Sequence, residues 1–571
     1  MSNSGCALDR QQIEAVVACE DAQLVLASAG SGKTMSLLAK IDYLNRELDI
    51  PAERILVISF TQKTVSELKE RCDIKGINIH TFHSLGNSIL KNADYSGLGL
   101  KKLLSDTSIA TFIRSYVEFL IKHDASFARA VVDFILFFYS APSSPARAQT
   151  HSGRINFNRI YLRHALFEQS GNFIRTKDEQ LLANWLYVNN LPHVHERQYP
   201  FCDEKYQPSF TIKAPRNIYL DYFIINQKGH SIYGPSYMRD IKWRQNLHMR
   251  NHTNYIILPS WRWNDLSIFQ YLTEELKRFQ INVHRRDDRE VYQEMSQNQY
   301  YAKELDGFYG MLQNFLSLHK NGLYDFADIK RRLKSDEKYS QRRNDLFLSI
   351  YQRVYYAYEK MLQHERRYDF ADMINAAKES IDNIADCSVG YKYILLDEVQ
   401  DLSRNRCMLV HSILHKNPGC KLFAVGDDWQ SIYRFTGSDL SLINNFENTF
   451  ELRTRRSFIE STHRFGEPTI KISCDFIQRN PAQSHKFVRN IQNTKTTISI
   501  ILNKPNGKAS GQDAESLVII LQELITKYSY GKIKQKSLQL ISRYNHDIKR
   551  IESDAFRIKK RDGGSDIYDV I

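Results

Sequence analysis

The stretch "LVLASAGSGKT", residues 24–34, runs a short apolar segment straight into a loop of small residues that closes on Lys-Thr. A helical pattern, "TMSLLAKIDYLNREL", follows at once. Strand, small-residue loop and helix in that order predict a phosphate cradle. Backbone N–H groups of Ala29, Gly30, Ser31 and Gly32 meet a helix N-terminus, where negative charge is favoured. Lys33 is then placed to reach the β- and γ-phosphates of a nucleotide, and the Thr34 hydroxyl to hold Mg2+. Ala27 stands where this pattern usually opens on glycine, and a small side chain is tolerated there.

Two later stretches extend the same edge. "YILLDEVQD", residues 393–401, is an apolar strand ending in two carboxylates. Ligands of open α/β sheets bind at such carboxyl ends, so Asp397 is expected on Mg2+ and Glu398 on the attacking water. "LFAVGDDWQSIYRFTG", residues 422–437, is a further strand exit. There Gln430 can sense a γ-phosphate, while Tyr433 and Phe435 offer faces for unpaired bases or simply pack a core.

The 571 residues are 42% hydrophobic and 25% charged, which predicts a folded chain of about two to four domains. No apolar run approaches the ~20 residues that span a bilayer. The eight cysteines are scattered without a CxxC pair, which argues against a zinc ribbon or a secreted disulfide framework and for a reducing cytoplasm. A net charge of +13 suits a polyanionic partner. The texture divides the chain into an α/β segment (1–100), a helical segment (101–165), an α+β insertion (166–290), a second helical segment (291–380), and a return to α/β (381–455 and 456–571). Strands are expected at Leu24–Leu26, Ile55–Phe60, Ile77–His80, Tyr393–Leu396, Leu422–Val425 and Ser537–Ser542.

Taken together, these motifs resemble the superfamily 1 DNA helicases of the UvrD/Rep type, with wording nearest to the helicase IV branch. The resemblance covers residues 1–130 and 350–571. It implies two RecA-like domains, ATP and Mg2+ as ligands, and translocation on single-stranded DNA and its junctions with duplex. It further implies 3′-to-5′ polarity, with unwinding in repair or recombination. "LDRQQIEAV" (8–16) resembles an adenine-reading motif and implies Gln12 as the base reader. "ISFTQKTVSELKER" (58–71) and "IHTFHSLG" (79–86) resemble strand-contacting motifs. They imply Phe60, Thr61, Thr81, Phe82 and His83 as DNA contacts, joined by Tyr433 and Phe435. "YDFADMI" (368–374) resembles the block ahead of the Asp-Glu motif, through Asp369 and Phe370. "STHRF" (461–465) resembles the opening of the second RecA-like domain, with Arg464 on the γ-phosphate and His463 where the family stacks tyrosine on adenine. Phe435 replaces the family's tryptophan and Met35 its arginine.

"KSLQLISRYNHDIKRI" (536–551) resembles the segment preceding the family's fifth motif, and "RDGGSDIYDVI" (561–571) stands where that motif would begin. The expectation is a second RecA-like domain without its last two motifs and without their transition-state arginine. A partner protein supplying those motifs, or an ATP- and DNA-binding subunit or truncated gene product with little helicase activity alone, is the alternative to a self-sufficient motor.

The insertion reads "DEQLLANWL", "HVHERQYPF", "YQPSFTI", "IYLDYFII", "IKWRQNLH". This order resembles a PD-(D/E)xK nuclease core with Glu179, Ser209, Asp221 and Lys242 at the metal and catalytic positions. Ser209 is a poor metal ligand, and no lysine lies two residues beyond Asp221. An active nuclease, an inactive relic that contacts DNA and an unrelated α+β insert all remain open.

Overall fold

The computed structural model describes residues 8–92, 102–139, 176–263, 267–383, 390–480 and 485–491. The "APSSPARAQTHSGR" stretch, the expected strand Ser537–Ser542 and the final residues lie outside them. The chain divides into two compact units: Met1–Ser461 with Ala482–Phe487, and Thr462–Pro481 with Val488–Ile571.

The first unit is built on one parallel sheet of six strands: β1 (Ala22–Ala27), β2 (Ile55–Ser59), β3 (Asn78–Thr81), β4 (Tyr393–Leu396), β5 (Lys421–Gly426) and β6 (Thr454–Ile459). Their order is β6-β1-β5-β4-β2-β3, and each neighbouring pair runs parallel. A parallel sheet is covered on both faces, so its inner strands read as unbroken apolar runs. β1, β2 and β4 are buried at every position. One face packs Leu24, Leu56, Ile394 and Leu422 against Phe82, Ile374 and Ile413. The other packs Val25, Val57, Leu395 and Phe423 against Leu37, Ile41 and Leu68. The boundary read at 455/456 falls inside β6, which completes this sheet.

The helices that serve the site are α1 (Arg10–Val17), α2 (Lys33–Asp42), α3 (Gln62–Arg71), α4 (Phe82–Asn92), α5 (Gln299–Gly322), α6 (Lys338–His364), α7 (Phe370–Asn383) and α8 (Arg404–Lys416). Between β3 and β4 the helical segments and the insertion share one apolar core. Phe134, Leu181, Leu220, Leu258, Phe308 and Tyr351 all belong to it, so the boundaries read at 165/166 and 290/291 run through common packing. The insertion carries a four-stranded sheet in chain order, His193–His195, Phe210–Ile212, Ile218–Phe223 and Asn254–Pro259. The first three are antiparallel, and the last runs parallel to the third across the helix Pro235–Arg250. Among the described residues no helix is long and apolar enough to cross a membrane.

The second unit is described over 462–480 and 488–491. It holds the helix Glu467–Ile477, with Pro468 in its first turn. His463 and Arg464 precede that helix. The Arg464 amide donates to Thr462 Oγ1, and its guanidinium lies 5.8 Å from the Phe465 ring centroid.

Candidate nucleotide site and nucleic-acid interface

β1 ends at Ala27 and α2 begins at Lys33, which places the loop 28–32 at the carboxyl edge of the sheet. Gly30 and Gly32 take φ of +76° and +80°, where a β-carbon is strained. At Gly32 a β-carbon would also sit 2.8 Å from the Gln12 amide nitrogen. Gln12 closes a capping box with Asp9 at the start of α1 and donates from Nε2 to the Ser31 carbonyl at 2.9 Å. The residue expected to read a base is thereby fastened to the loop expected to cradle phosphate. The Ser31 hydroxyl is fully buried and has no partner among the described residues, a donor suited to a phosphate oxygen.

Lys33 Nζ lies 2.8 Å from Glu398 Oε2. Gln400 Nε2 donates to the same oxygen at 2.7 Å, and Gln400 Oε1 accepts from the Asp427 amide at 2.9 Å. Gln400 thus ties the end of β4 to the end of β5. Gly426 leaves it room: a β-carbon there would lie 2.6 Å from Gln400 Oε1. Gln430, expected to sense a γ-phosphate, donates to Asp427 Oδ2 at 2.5 Å. Buried Lys486 pairs with Asp427 at 2.7 Å and also with Asp428.

Asp397 is buried, accepting from Ser59 Oγ at 3.2 Å and from the Glu398 amide at 3.0 Å. Burial, reinforced by the Glu398 charge, pushes its carboxyl up to about 6, against the pull of Lys33. The same two causes push Asp401 up to about 7, opposed by Lys33 and Arg406. The Thr34 hydroxyl and the Asp397 carboxylate make an all-oxygen donor pair of the kind a hard divalent cation takes. Together with the unpartnered Ser31 hydroxyl, these residues fit a Mg2+–nucleotide.

The expected DNA contacts divide. Phe60 and Tyr433 stack with ring centroids 5.5 Å apart, and Phe435 lies 6.1 Å beyond Tyr433. Phe435 is 62% exposed. His83 packs on Phe370 at 4.4 Å, and burial, with the nearby Arg406 charge, holds its imidazole down at about 4, hence neutral at pH 7. Phe82 is buried in the core beneath the sheet. Thr81 accepts from the Ser84 amide, and exposed Thr61 caps α3 through the Thr64 amide. Sequence reasoning did not single out Ser59, Gln400, Asp401, Arg406 or Lys486. Gln400 and Asp401 follow the Asp-Glu pair directly, while nothing local marks Arg406 or Lys486.

In the insertion, the structure brings Ser209 and Asp221 together. Asp221 is fully buried and accepts from Tyr206 Oη (2.7 Å), Tyr255 Oη (2.8 Å), the Ser209 amide (3.0 Å) and Arg244 Nη1 (3.2 Å). Lys242 does not take the expected cationic role. It is exposed, two residues from Arg244 and so on the opposite side of the same helix. Glu179 accepts from Thr176 Oγ1 at the start of its own helix. Among the described residues no group of three or more His, Cys, Asp or Glu side chains could hold a metal ion. With Asp221 saturated by protein donors and Ser209 in the other acidic place, these residues do not fit a nuclease metal. Tyr206→Phe should cost the insertion about 2–4 kcal/mol, the worth of its hydrogen bond to the buried Asp221 carboxyl together with the one it shares with His248 Nε2. Urea unfolding followed by Trp243, which packs on Tyr206 at 5.7 Å, measures it.

Parallel sheet, left-handed glycine loop, Lys33, and the carboxylates ending β4, one strand removed from β1, define a P-loop NTPase. The chain matches the UvrD/REP helicase N-terminal domain over residues 8–186 and 220–451, more than half its length, and belongs to that family. The interruption at 187–219 contains the insertion's first two strands. DNA helicase IV of Escherichia coli (strain K12) is 31% identical over 191 residues, 33% of this chain and 25% of that protein. ATP-dependent DNA helicase Rep of Salmonella typhimurium is 35% identical over 135 residues, 22% of this chain and 20% of the relative. ATP-dependent DNA helicase PcrA of Bacillus subtilis (strain 168) is 25% identical over 250 residues, 43% of this chain and 32% of the relative. The matches therefore span between a fifth and a third of these relatives' lengths.

Proposed function

We propose that the chain is the engine of an ATP-driven DNA helicase that moves on single-stranded DNA. One observation carries the reading: residues suited to a nucleotide and rings suited to bases share one carboxyl edge, and a single peptide bond separates them. Ser59, at the end of β2, donates to Asp397, and the next residue, Phe60, stacks on Tyr433. Nucleotide phosphates entering the loop compete with Glu398 for Lys33. Glu398, released from that pairing, then accepts a proton from the attacking water. When bound, Mg2+ on Thr34 and Asp397 supplies charge neutralisation at the transferred phosphoryl group. Bases stack on Phe60, Tyr433 and Phe435, a sequence-tolerant mode worth about 1–3 kcal/mol per base. The family's 3′-to-5′ polarity and a role in repair or recombination complete the proposal, with partial duplexes bearing 3′ or 5′ tails as the polarity test.

The deciding experiment is ATP hydrolysis by the purified chain with and without single-stranded DNA, beside Lys33→Ala. Turnover stimulated by DNA and lost in Lys33→Ala is the expected result. Turnover that survives in Lys33→Ala would overturn the reading, because phosphate would then be held elsewhere.

A further inference from the structure

Arg406 is the third residue of α8, a position where a cation opposes the helix dipole. Its guanidinium lies 4.7 Å from the Phe60 ring centroid and 5.8 Å from that of Phe82. Burial pulls its pKa down to about 10, with Asp401 working against that. Among the described residues the guanidinium makes no salt bridge and no hydrogen bond; only the Arg406 backbone amide is bonded, to Asn405 Oδ1. An arginine carries five N–H donors, and leaving a largely buried charge without acceptors is costly. Asp401 is buried, and its Oδ1 has no partner among the described residues. Asp401 in turn lies in the field of Glu398 and Lys33. Arg406 and Asp401 thus attract each other without a hydrogen bond or ion pair between them, and Asp401 lies in the segment that directly follows Glu398.

We propose that Arg406 takes a phosphate of the single strand whose bases stack on Phe60 and Tyr433, and that Asp401 transmits its engagement to the nucleotide site. This rests on the helicase reading above and adds a positioning residue to it. Guanidinium donors suit phosphate oxygens in a planar fork, and the Phe60 and Phe82 rings restrict where that fork points. When a phosphate draws Arg406 away, Asp401 loses its opposing charge and pulls on Lys33, loosening Lys33 from Glu398.

Binding of a labelled oligothymidylate across a salt titration tests the proposal, with wild type, Arg406→Gln and Arg406→Lys measured side by side. In Arg406→Gln, affinity should fall about 5- to 150-fold, and the slope of log affinity against log salt should shrink by about 0.7, one phosphate's worth. Arg406→Lys should restore the slope but only part of the affinity. A purely structural role would lower affinity without moving the slope, so an unchanged slope in Arg406→Gln overturns the proposal. If Arg406→Gln does not fold, Arg406→Lys decides alone: affinity equal to wild type would show that the planar fork is not used. Wild type that fails to bind the oligonucleotide sinks the helicase reading itself, whereas wild-type binding with an unaltered slope in Arg406→Gln sinks only this inference.

Discussion

Glu398→Gln should lower the maximal rate of ATP hydrolysis by about 10²–10⁴, the range expected for loss of a positioned general base. The substitution is nearly isosteric and keeps an oxygen for Lys33 and Gln400, both of which now address Glu398 Oε2. Nucleotide binding should therefore survive, because the loop, Lys33 and Asp397 stay in place. Removing the Glu398 charge also relieves Asp397 and Asp401, whose carboxyls it helps to push up. Inactivation should thus come without loss of stability, as is common where function holds like charges together. Steady-state turnover beside nucleotide affinity and a thermal melt checks all three. Turnover within tenfold of wild type would remove Glu398 from the chemistry.

The parts of this site that were legible in the sequence are those the sheet makes legible. β1, β2 and β4 are covered on both faces, so each reads as an apolar run whose last residues point to the site. β6 is an edge strand with Arg455 and Arg456 exposed, and those charges hid its strand character. The Phe60–Tyr433 stack joins two segments that a strand-contact resemblance names separately, and their meeting depends on β2 and β5 lying on either side of β4. Arg244 eluded sequence reasoning because the nuclease pattern asks for lysine, and helix phase decides which of two nearby cations faces Asp221. Arg406 and Lys486 carry no local pattern at all. Their meaning comes from rings and carboxylates that reach them through the fold.

The same holds for Lys320, whose removal should be the most damaging single change to stability. Lys320 sits in the last turn of α5 with its side chain only 6% exposed, 2.8 Å from Asp369, 2.7 Å from Asp372 and 2.9 Å from Glu359. Tyr358 Oη donates to Asp369 as well. Burial alone would lower the Lys320 pKa, but the three carboxylates outweigh it and hold the ammonium above its ordinary range. Asp372 is pushed up to about 6 by burial and by Asp369, even with Lys320 opposing. Lys320→Met keeps the aliphatic stem and leaves those carboxylates facing one another without a cation. The expected loss is about 3–5 kcal/mol, the cost of breaking a buried charge pair from one side. Its pH dependence has a definite sign. A carboxyl whose folded pKa is raised holds more protons folded than unfolded, so stability falls as pH rises from about 4 through that pKa. Without Lys320 the Asp372 pKa rises further and the window extends upward, so the deficit against wild type should be larger at pH 8 than at pH 5. The neighbouring Asn321 donates to the Thr436 carbonyl and accepts from Asn405. Loosening the end of α5 should therefore also free the Tyr433–Phe435 loop and weaken single-strand binding. Denaturant melts of both proteins at the two pH values test the electrostatic account, and a deficit that does not grow with pH would refute it.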